Sequence, residues 1–338
     1  MNIGRRGLAA LATIAVLAAA CGGGDESKGS DSPAEPTATP SQAPSGDSNR
    51  TSVAAFHDQT IDWTDCGDFQ CGSVDVPMDY SDPSGPTVDI QLKRASSTGD
   101  PIGTLFINPG GPGGSGTDYL TTFSHEMSDQ MRAHYDVIGF DPRGVAKSDP
   151  LVCVSDSELD KLVAFDPTPD TPSEVNEARD LLRQLGDGCA DTGRLAEHMS
   201  TVDVARDLDI LRAVVGDPKL NYYGASYGTY IGAVYAELFP LRVGRFVLDG
   251  AIDPTLSAQQ FNLGQAKGFQ RALDAYINDC VSSGDCPLGS NHDEAIQRLH
   301  SVLNDLDQQP LDSGDPERPL TEGLGFYGIA VTLYVKDY

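Results

Sequence analysis

Residues 224–228 read Gly-Ala-Ser-Tyr-Gly, a G-x-S-x-G arrangement centred on Ser226. A serine hydroxyl becomes a useful nucleophile when it is exposed and a base can take its proton. The motif meets the first condition. It places the serine on a sharp strand-to-helix turn, and glycines on either side remove Cβ atoms that would clash there. The helix that follows points its N-terminus at the site, which favours negative charge developing on an attacked carbonyl. Read alone, the motif also fits an ordinary loop serine. Here a short strand-like stretch at 220–223 precedes it and a helical stretch at 230–239 follows it.

A second glycine-rich stretch, Pro-Gly-Gly-Pro-Gly-Gly-Ser-Gly at 109–116, follows Asn108. Acyl transfer at a serine needs preorganised N–H groups for the oxyanion of the tetrahedral intermediate. One donor is expected from Tyr227, the residue after the nucleophile. The other is expected from Gly110 or Gly111, because glycine lets the backbone turn and approach closely. Phosphate binding is the competing chemistry, but the stretch has neither a G-K-[ST] ending nor G-x-G-x-x-G spacing. No Cys or His cluster has metal-ligand spacing, so neither a metal nor an organic cofactor is expected. Asp141 and Arg143 stand in Asp-Pro-Arg-Gly at 141–144, where the apolar run at 135–140 ends. A structural salt bridge or turn at a strand end and direct substrate contact both stay open for them.

The elements that must hold these residues follow from hydrophobic patterning. Residues 72–77 and 87–95 alternate in a strand-like way, and 103–108 and 135–140 are continuous apolar runs of the kind buried in a parallel sheet. Helical stretches are expected at 174–186 and at 201–215, where Val204, Leu208, Leu211 and Val215 recur at helical spacing. The helix at 230–239 stops at Pro240, and a strand follows at 243–248. Strand–helix alternation of this kind predicts an α/β fold, a mostly parallel sheet flanked by helices. The folded core is expected over 53–250. A partial helical cap is expected over 251–338, with helices at 258–277, 293–306 and 323–336.

The first 52 residues read as an address and a tether. Arg5 and Arg6 precede an apolar run at 8–20, too short to span a bilayer comfortably, and so residues 1–20 read as a signal peptide. Leu17-Ala-Ala-Ala-Cys21 looks like a bacterial lipobox, making Cys21 the expected lipidation site; plain cleavage after Ala20 is the alternative. The arginine pair leaves Sec or Tat export undecided. Residues 21–52, rich in Gly, Ser and Pro, bury too little surface to offset backbone entropy and read as a disordered tether. The expected location is the outer face of the cell membrane, or the medium. Six cysteines remain after Cys21. An even number in an exported chain suggests disulfides, and sequence proximity pairs Cys66–Cys71, Cys153–Cys189 and Cys280–Cys286. A net charge of −27 argues against a nucleic-acid partner and leaves open a cationic ligand such as a free amino terminus.

Together, Asn-Pro-Gly-Gly-Pro-Gly-Gly-Ser-Gly (108–116), Asp-Pro-Arg-Gly (141–144), Asp207-Leu-Asp with Leu211-Arg212, Gly-Ala-Ser-Tyr-Gly (224–228) and Leu248-Asp-Gly resemble the α/β-hydrolase peptidases. The group is that of the proline iminopeptidases and tripeptidyl aminopeptidases, in its exported actinobacterial branch, and the resemblance covers 63–253. It implies the α/β-hydrolase fold and a serine exopeptidase. Such an enzyme releases short peptides from a free N-terminus through an acyl-enzyme on Ser226, with Gly111 and Tyr227 as oxyanion hole, Asp141 and Arg143 ordering the loop beside the site, and no cofactor. An esterase or lipase would use the same parts. In this fold the triad order is Ser, then Asp or Glu, then His, the last two on loops beyond an inserted cap. Downstream of Ser226 the histidines are His292 and His300, both read as surface residues. A triad from Asp249 with His292 or His125 is the remaining internal solution. The expectation is a C-terminally truncated chain that lacks the last core strands and the triad Asp and His, with an incomplete cap. A catalytically inactive, lipid-anchored binding protein is the alternative of a different class.

Overall fold

The computed structural model describes residues 51–334. The signal, Cys21 and nearly all of the tether lie outside the described residues, as does the end of the last expected helix. In chain order the elements are β1 (Thr64–Cys66), β2 (Phe69–Pro77), β3 (Thr87–Ala95), β4 (Thr104–Asn108), α1 (Gly116–Glu126), α2 (Asp129–His134), β5 (Asp136–Phe140), α3 (Asp156–Ala164) and α4 (Pro172–Asp191). They continue with α5 (Thr201–Val214), β6 (Leu220–Ala225), α6 (Tyr227–Leu238), β7 (Val243–Asp249), α7 (Ala258–Ser282), α8 (His292–Gln308) and α9 (Glu322–Thr332). The described residues form two units. One comprises 51–151 and 194–252; the other comprises 152–193 and 253–334.

The first unit is built on a seven-stranded sheet of order β1-β2-β3-β5-β4-β6-β7. β1, β2, β3 and β5 pair antiparallel, whereas β5, β4, β6 and β7 run parallel. Every residue of β4 is buried, and the reason lies in the strand's period of two. Phe106 joins one apolar cluster with Ile138, Leu208, Leu211, Tyr222 and Ile231. Its neighbours Leu105 and Ile107 join another with Leu120, Phe123 and Val137. Thus α5 and α6 contribute to one face and α1 to the other, and a strand covered on both faces reads as an unbroken apolar run. Cys66 and Cys71 are bonded across the β1–β2 hairpin. β7 is the edge of the sheet and leaves Val247 and Leu248 exposed.

The second unit is helical and draws on two stretches of chain. Disulfides join Cys153 to Cys189 and Cys280 to Cys286, as the sequence pairing expects. Capping sets the helix starts. Thr171 and Glu174 form a capping box with Pro172 in the first turn of α4, and Ser155 with Glu158 does the same for α3. α4 therefore begins two residues before the expected 174 and runs on to Asp191, next to the bridge at Cys189. The N-terminus of α9 is fastened to the end of α3: Thr321 Oγ1 donates to the Ala164 carbonyl at 2.9 Å, and Arg318 Nη2 donates to Asp160 Oδ2 at 2.9 Å. No helix among the described residues is long and apolar enough to cross a membrane.

Candidate active site

The sheet delivers Ser226 to the carboxyl end of β6, where α6 begins at the next residue. The expected helix start at 230 is three residues late, because Tyr-Gly-Thr carries no strong helical signal of its own and the turn is set by the sheet. Ser226 has φ 52° and ψ −121°, a conformation that costs a non-glycine residue about 1–3 kcal/mol. Its surroundings over-determine it. The Ser226 N–H donates to the Asp249 carbonyl at 2.8 Å; its own carbonyl accepts from Thr229 N–H at 2.9 Å and Thr229 Oγ1 at 2.6 Å. Tyr222 Oη, fully buried, donates to the Gly228 carbonyl at 2.8 Å. The motif glycines are required by contact: a Cβ on Gly224 would collide with the Gly228 carbonyl, and one on Gly228 would stand 2.7 Å from the Asn108 carbonyl oxygen. Ser226 itself is exposed, and among the described residues its Oγ makes no hydrogen bond.

The glycine loop lies against this turn. A Cβ on Gly110, at φ +92°, would stand 2.7 Å from the Tyr227 nitrogen. The Gly110 N–H is engaged, donating to Asn108 Oδ1 at 2.9 Å. By contrast the N–H groups of Gly111 and Tyr227 make no hydrogen bond among the described residues; Tyr227 opens α6, where the first N–H groups have no intrahelical acceptor. Of the three residues expected to form an oxyanion hole, Gly111 and Tyr227 thus retain free donors and Gly110 does not.

Asp141 and Arg143 both turn inward. The Asp141 carboxylate, at 0 % exposure, accepts from Ser115 Oγ at 2.7 Å, Thr117 N–H at 3.0 Å, Thr117 Oγ1 at 3.1 Å and Lys147 N–H at 3.3 Å. It therefore fastens the end of the glycine loop and the start of α1 to the end of β5. Arg143, 1 % exposed, donates from Nε to Asp207 Oδ2 at 2.7 Å and from Nη2 to Asp207 Oδ1 at 2.5 Å. Its remaining donors go to the carbonyls of Pro77, Met78 and His198, and Tyr80 Oη donates to Asp207 at 2.7 Å. Direct substrate contact, left open by the sequence, is excluded for both by burial.

The carboxylate of Asp249 is engaged by Tyr223 Oη at 3.1 Å, and the Tyr119 phenol lies beside that of Tyr223. Burial, reinforced by these neighbours, pushes the Tyr223 phenol well above its ordinary value. His292 Nε2 lies 3.2 Å from Asp274 Oδ1 in the helical unit; His125 and His300 are exposed. His125, in the same unit as Ser226, makes no hydrogen bond to it among the described residues. In the helical unit, carboxylate oxygens of Asp166, Asp307 and Glu322 lie within 4.8 Å of one another, and Thr168 Oγ1 donates to Glu322 at 3.1 Å. Burial, then the carboxyl group of Asp166, pushes Glu322 up to about 8, and the Asp307 charge adds to this. The sequence reading missed this cluster, whose members are 141 or more positions apart in two of three pairs. It also assigned no role to Asn108, although Asn-x-Gly is the local signal of a side chain that accepts from the backbone two residues on.

Comparison with known proteins agrees with this geometry. The chain is 40% identical over 275 residues to the serine protease Hip1 of Mycobacterium tuberculosis, covering 77% of this chain and 51% of the relative. It is 42% identical over 226 residues to the tripeptidyl aminopeptidase of Streptomyces lividans, covering 62% of this chain and 42% of the relative. It is 36% identical over 269 residues to carboxylesterase B of Mycobacterium tuberculosis, covering 75% and 52%. The chain thus spans about half the length of the curated relatives it matches. The family described as alpha/beta hydrolase fold matches residues 103–328, a stretch that contains the glycine loop, Ser226, and most of the helical unit. With a sheet parallel through β5, β4, β6 and β7 and a strained serine at the strand-to-helix turn, the chain belongs to the α/β-hydrolase fold family.

Proposed function

We propose that Ser226 is the nucleophile of an exported serine peptidase that releases short peptides from free amino termini. The observation that carries this is the pairing of an exposed, strained Ser226 with two unengaged N–H groups, on Gly111 and Tyr227. In the reaction Ser226 Oγ attacks the peptide carbonyl, its proton passes to a general base, and the carbonyl oxygen gains a negative charge that the two N–H groups hold in this reading. The C–N bond then breaks with protonation of the leaving amine, and water releases the acyl group from Ser226. No histidine of the sheet unit makes a hydrogen bond to Ser226 among the described residues. We therefore place the base and its carboxylate on polypeptide beyond these 338 residues, a reading supported by relatives about twice as long. A net charge of −27 suits an ammonium-bearing substrate. An esterase is the second reading, favoured by the likeness to carboxylesterase B.

The test uses the complete polypeptide containing this stretch. Tripeptides with a chromogenic leaving group are expected to be cleaved when the amino terminus is free and resist when it is acetylated, and Ser226→Ala is expected to abolish turnover. Cleavage of short acyl esters without cleavage of free peptides would make it an esterase. Full turnover by the 338-residue chain alone would overturn the placement of the base outside it. Anchoring through lipid on Cys21 is tested by palmitate incorporation, which Cys21→Ala should abolish.

A further inference from the structure

We propose that Asn108 is the positioning residue of the oxyanion hole, and that it selects Gly111 over Gly110 as the donor that works with Tyr227. The inference rests on Ser226 being the nucleophile. Three observations carry it.

Asn108 ends β4, and its Oδ1 takes the Gly110 N–H at 2.9 Å, closing a turn of the kind Asn makes with the backbone two residues on. That contact removes one of two neighbouring N–H groups from competition and leaves its successor, Gly111, unengaged. The same side chain also borders the helix turn that carries the second donor. A Cβ on Gly228, in the first turn of α6, would stand 3.0 Å from Asn108 Oδ1, and one on Gly110 would stand 3.0 Å from the Gly228 nitrogen. Asn108 is thus wedged between the loop that carries one N–H and the helix turn that carries the other.

The third observation concerns cost. Asn108 is 1 % exposed and its Nδ2 has no hydrogen-bond partner among the described residues. A buried amide nitrogen without an acceptor costs about 1–3 kcal/mol. An apolar residue of similar volume would avoid that cost in this core. What the amide supplies and an apolar residue cannot is the Oδ1 contact that aims the loop.

The test modifies Ser226 in the complete polypeptide containing this stretch with diethyl p-nitrophenyl phosphate and, separately, with its phosphorothioate. In each case a bond forms between Ser226 Oγ and phosphorus, the bond to p-nitrophenolate breaks, and the hydroxyl proton passes to the general base. The phosphoryl oxygen gains charge that an N–H can bind; sulfur in its place accepts hydrogen bonds poorly. Asn108→Leu is expected to slow the phosphate about 10- to 100-fold and the phosphorothioate much less. Asn108→Ser, whose hydroxyl accepts the same N–H more weakly, is expected to recover part of the rate. It also serves where Leu disturbs folding. Amide exchange on glycine-labelled protein should show Gly110 protected in the wild type and fast in Asn108→Leu, with Gly111 fast in both.

Equal slowing of both reagents would reduce Asn108 to a structural role. A phosphate rate within twofold of wild type in Asn108→Leu, or an unprotected Gly110 in the wild type, would overturn the proposal. If neither reagent modifies wild-type Ser226, the nucleophile reading falls, and the exchange of Gly110 still decides whether Asn108 holds the turn.

Discussion

The N–H of Ser226 donates to the carbonyl of Asp249 at 2.8 Å. The residue with the least favourable backbone in the site is therefore held by the last residue of the adjacent strand, β7, and the side chain of Asp249 is in turn held by Tyr223 at 3.1 Å on the strand that leads to the serine. The strained turn and the sheet edge form one mechanical element. This arrangement places the serine's conformation under the control of β7, so changes at the turn have to be read as changes in both strain and reactivity.

Substitutions at Ser226 should separate the two. Its positive φ of 52° penalises any residue with a Cβ by about 1–2 kcal/mol. Ser226→Gly is expected to be more stable than Ser226→Ala by roughly 1 kcal/mol in urea denaturation, while both variants lose modification by serine-directed reagents. Equal stability of the two would mean that the turn is unstrained in solution.

The Arg143–Asp207 pair should behave as a buried ion pair whose halves cannot be removed singly. Both side chains are 1 % exposed and joined by two hydrogen bonds of 2.7 and 2.5 Å. Asp207→Leu alone is expected to cost about 3–5 kcal/mol, because it leaves a guanidinium uncompensated in the core. The double variant Arg143→Met with Asp207→Leu is expected to cost much less than the sum of the single changes. Chemical denaturation of the four proteins gives the coupling directly.

Glu322 should give the helical unit a pH dependence of definite sign. Its carboxyl is pushed from an ordinary 4.5 up to about 8, by burial first and then by Asp166. Between these values the folded chain keeps a proton that the unfolded chain has lost, so stability falls as pH rises through that window and levels off above it. Glu322→Gln keeps the shape and removes the titration. The difference in thermal midpoint between wild type and Glu322→Gln is expected to shift against the wild type from pH 5 to about 8.5; a constant difference would show that the cluster does not hold the proton.

Cys153 and Cys189 close a loop of 36 residues, which by chain entropy constrains the unfolded state by roughly 3–4 kcal/mol. Replacing both with Ser is expected to destabilise the helical unit by an amount up to that value. Hydrogen exchange should report the loss first in α4, which ends two residues beyond Cys189. Unchanged protection throughout α4 would assign the stability of that helix to packing alone.

Legibility in the sequence followed the range of the interactions involved. The strands at β4 and β5 were readable because burial on both faces forces continuous apolar runs. The turn at Ser226 was readable because its glycines answer to clashes within a few residues, Gly224 against Gly228. The disulfide pairs at separations of 5, 36 and 6 followed from proximity. Less legible were α3, which rests on a short capping box, and the early start of α6, which the sheet imposes.

Alone, the sequence determined the α/β pattern, the serine, and the glycine stretch that accompanies it, since each is written in side-chain period or backbone freedom. Tertiary structure decided the rest. It turned Arg143 onto Asp207, 64 positions away, and closed a question that composition had left open between substrate contact and core. It brought residues 152–193 together with 253–334 and set Gly110 against Tyr227, across more than a hundred residues of chain. Those relations depend on which strands lie side by side. Strand order is a property of the whole sheet, because each neighbour is chosen by how both faces of the sheet are covered, and no local run of residues encodes it.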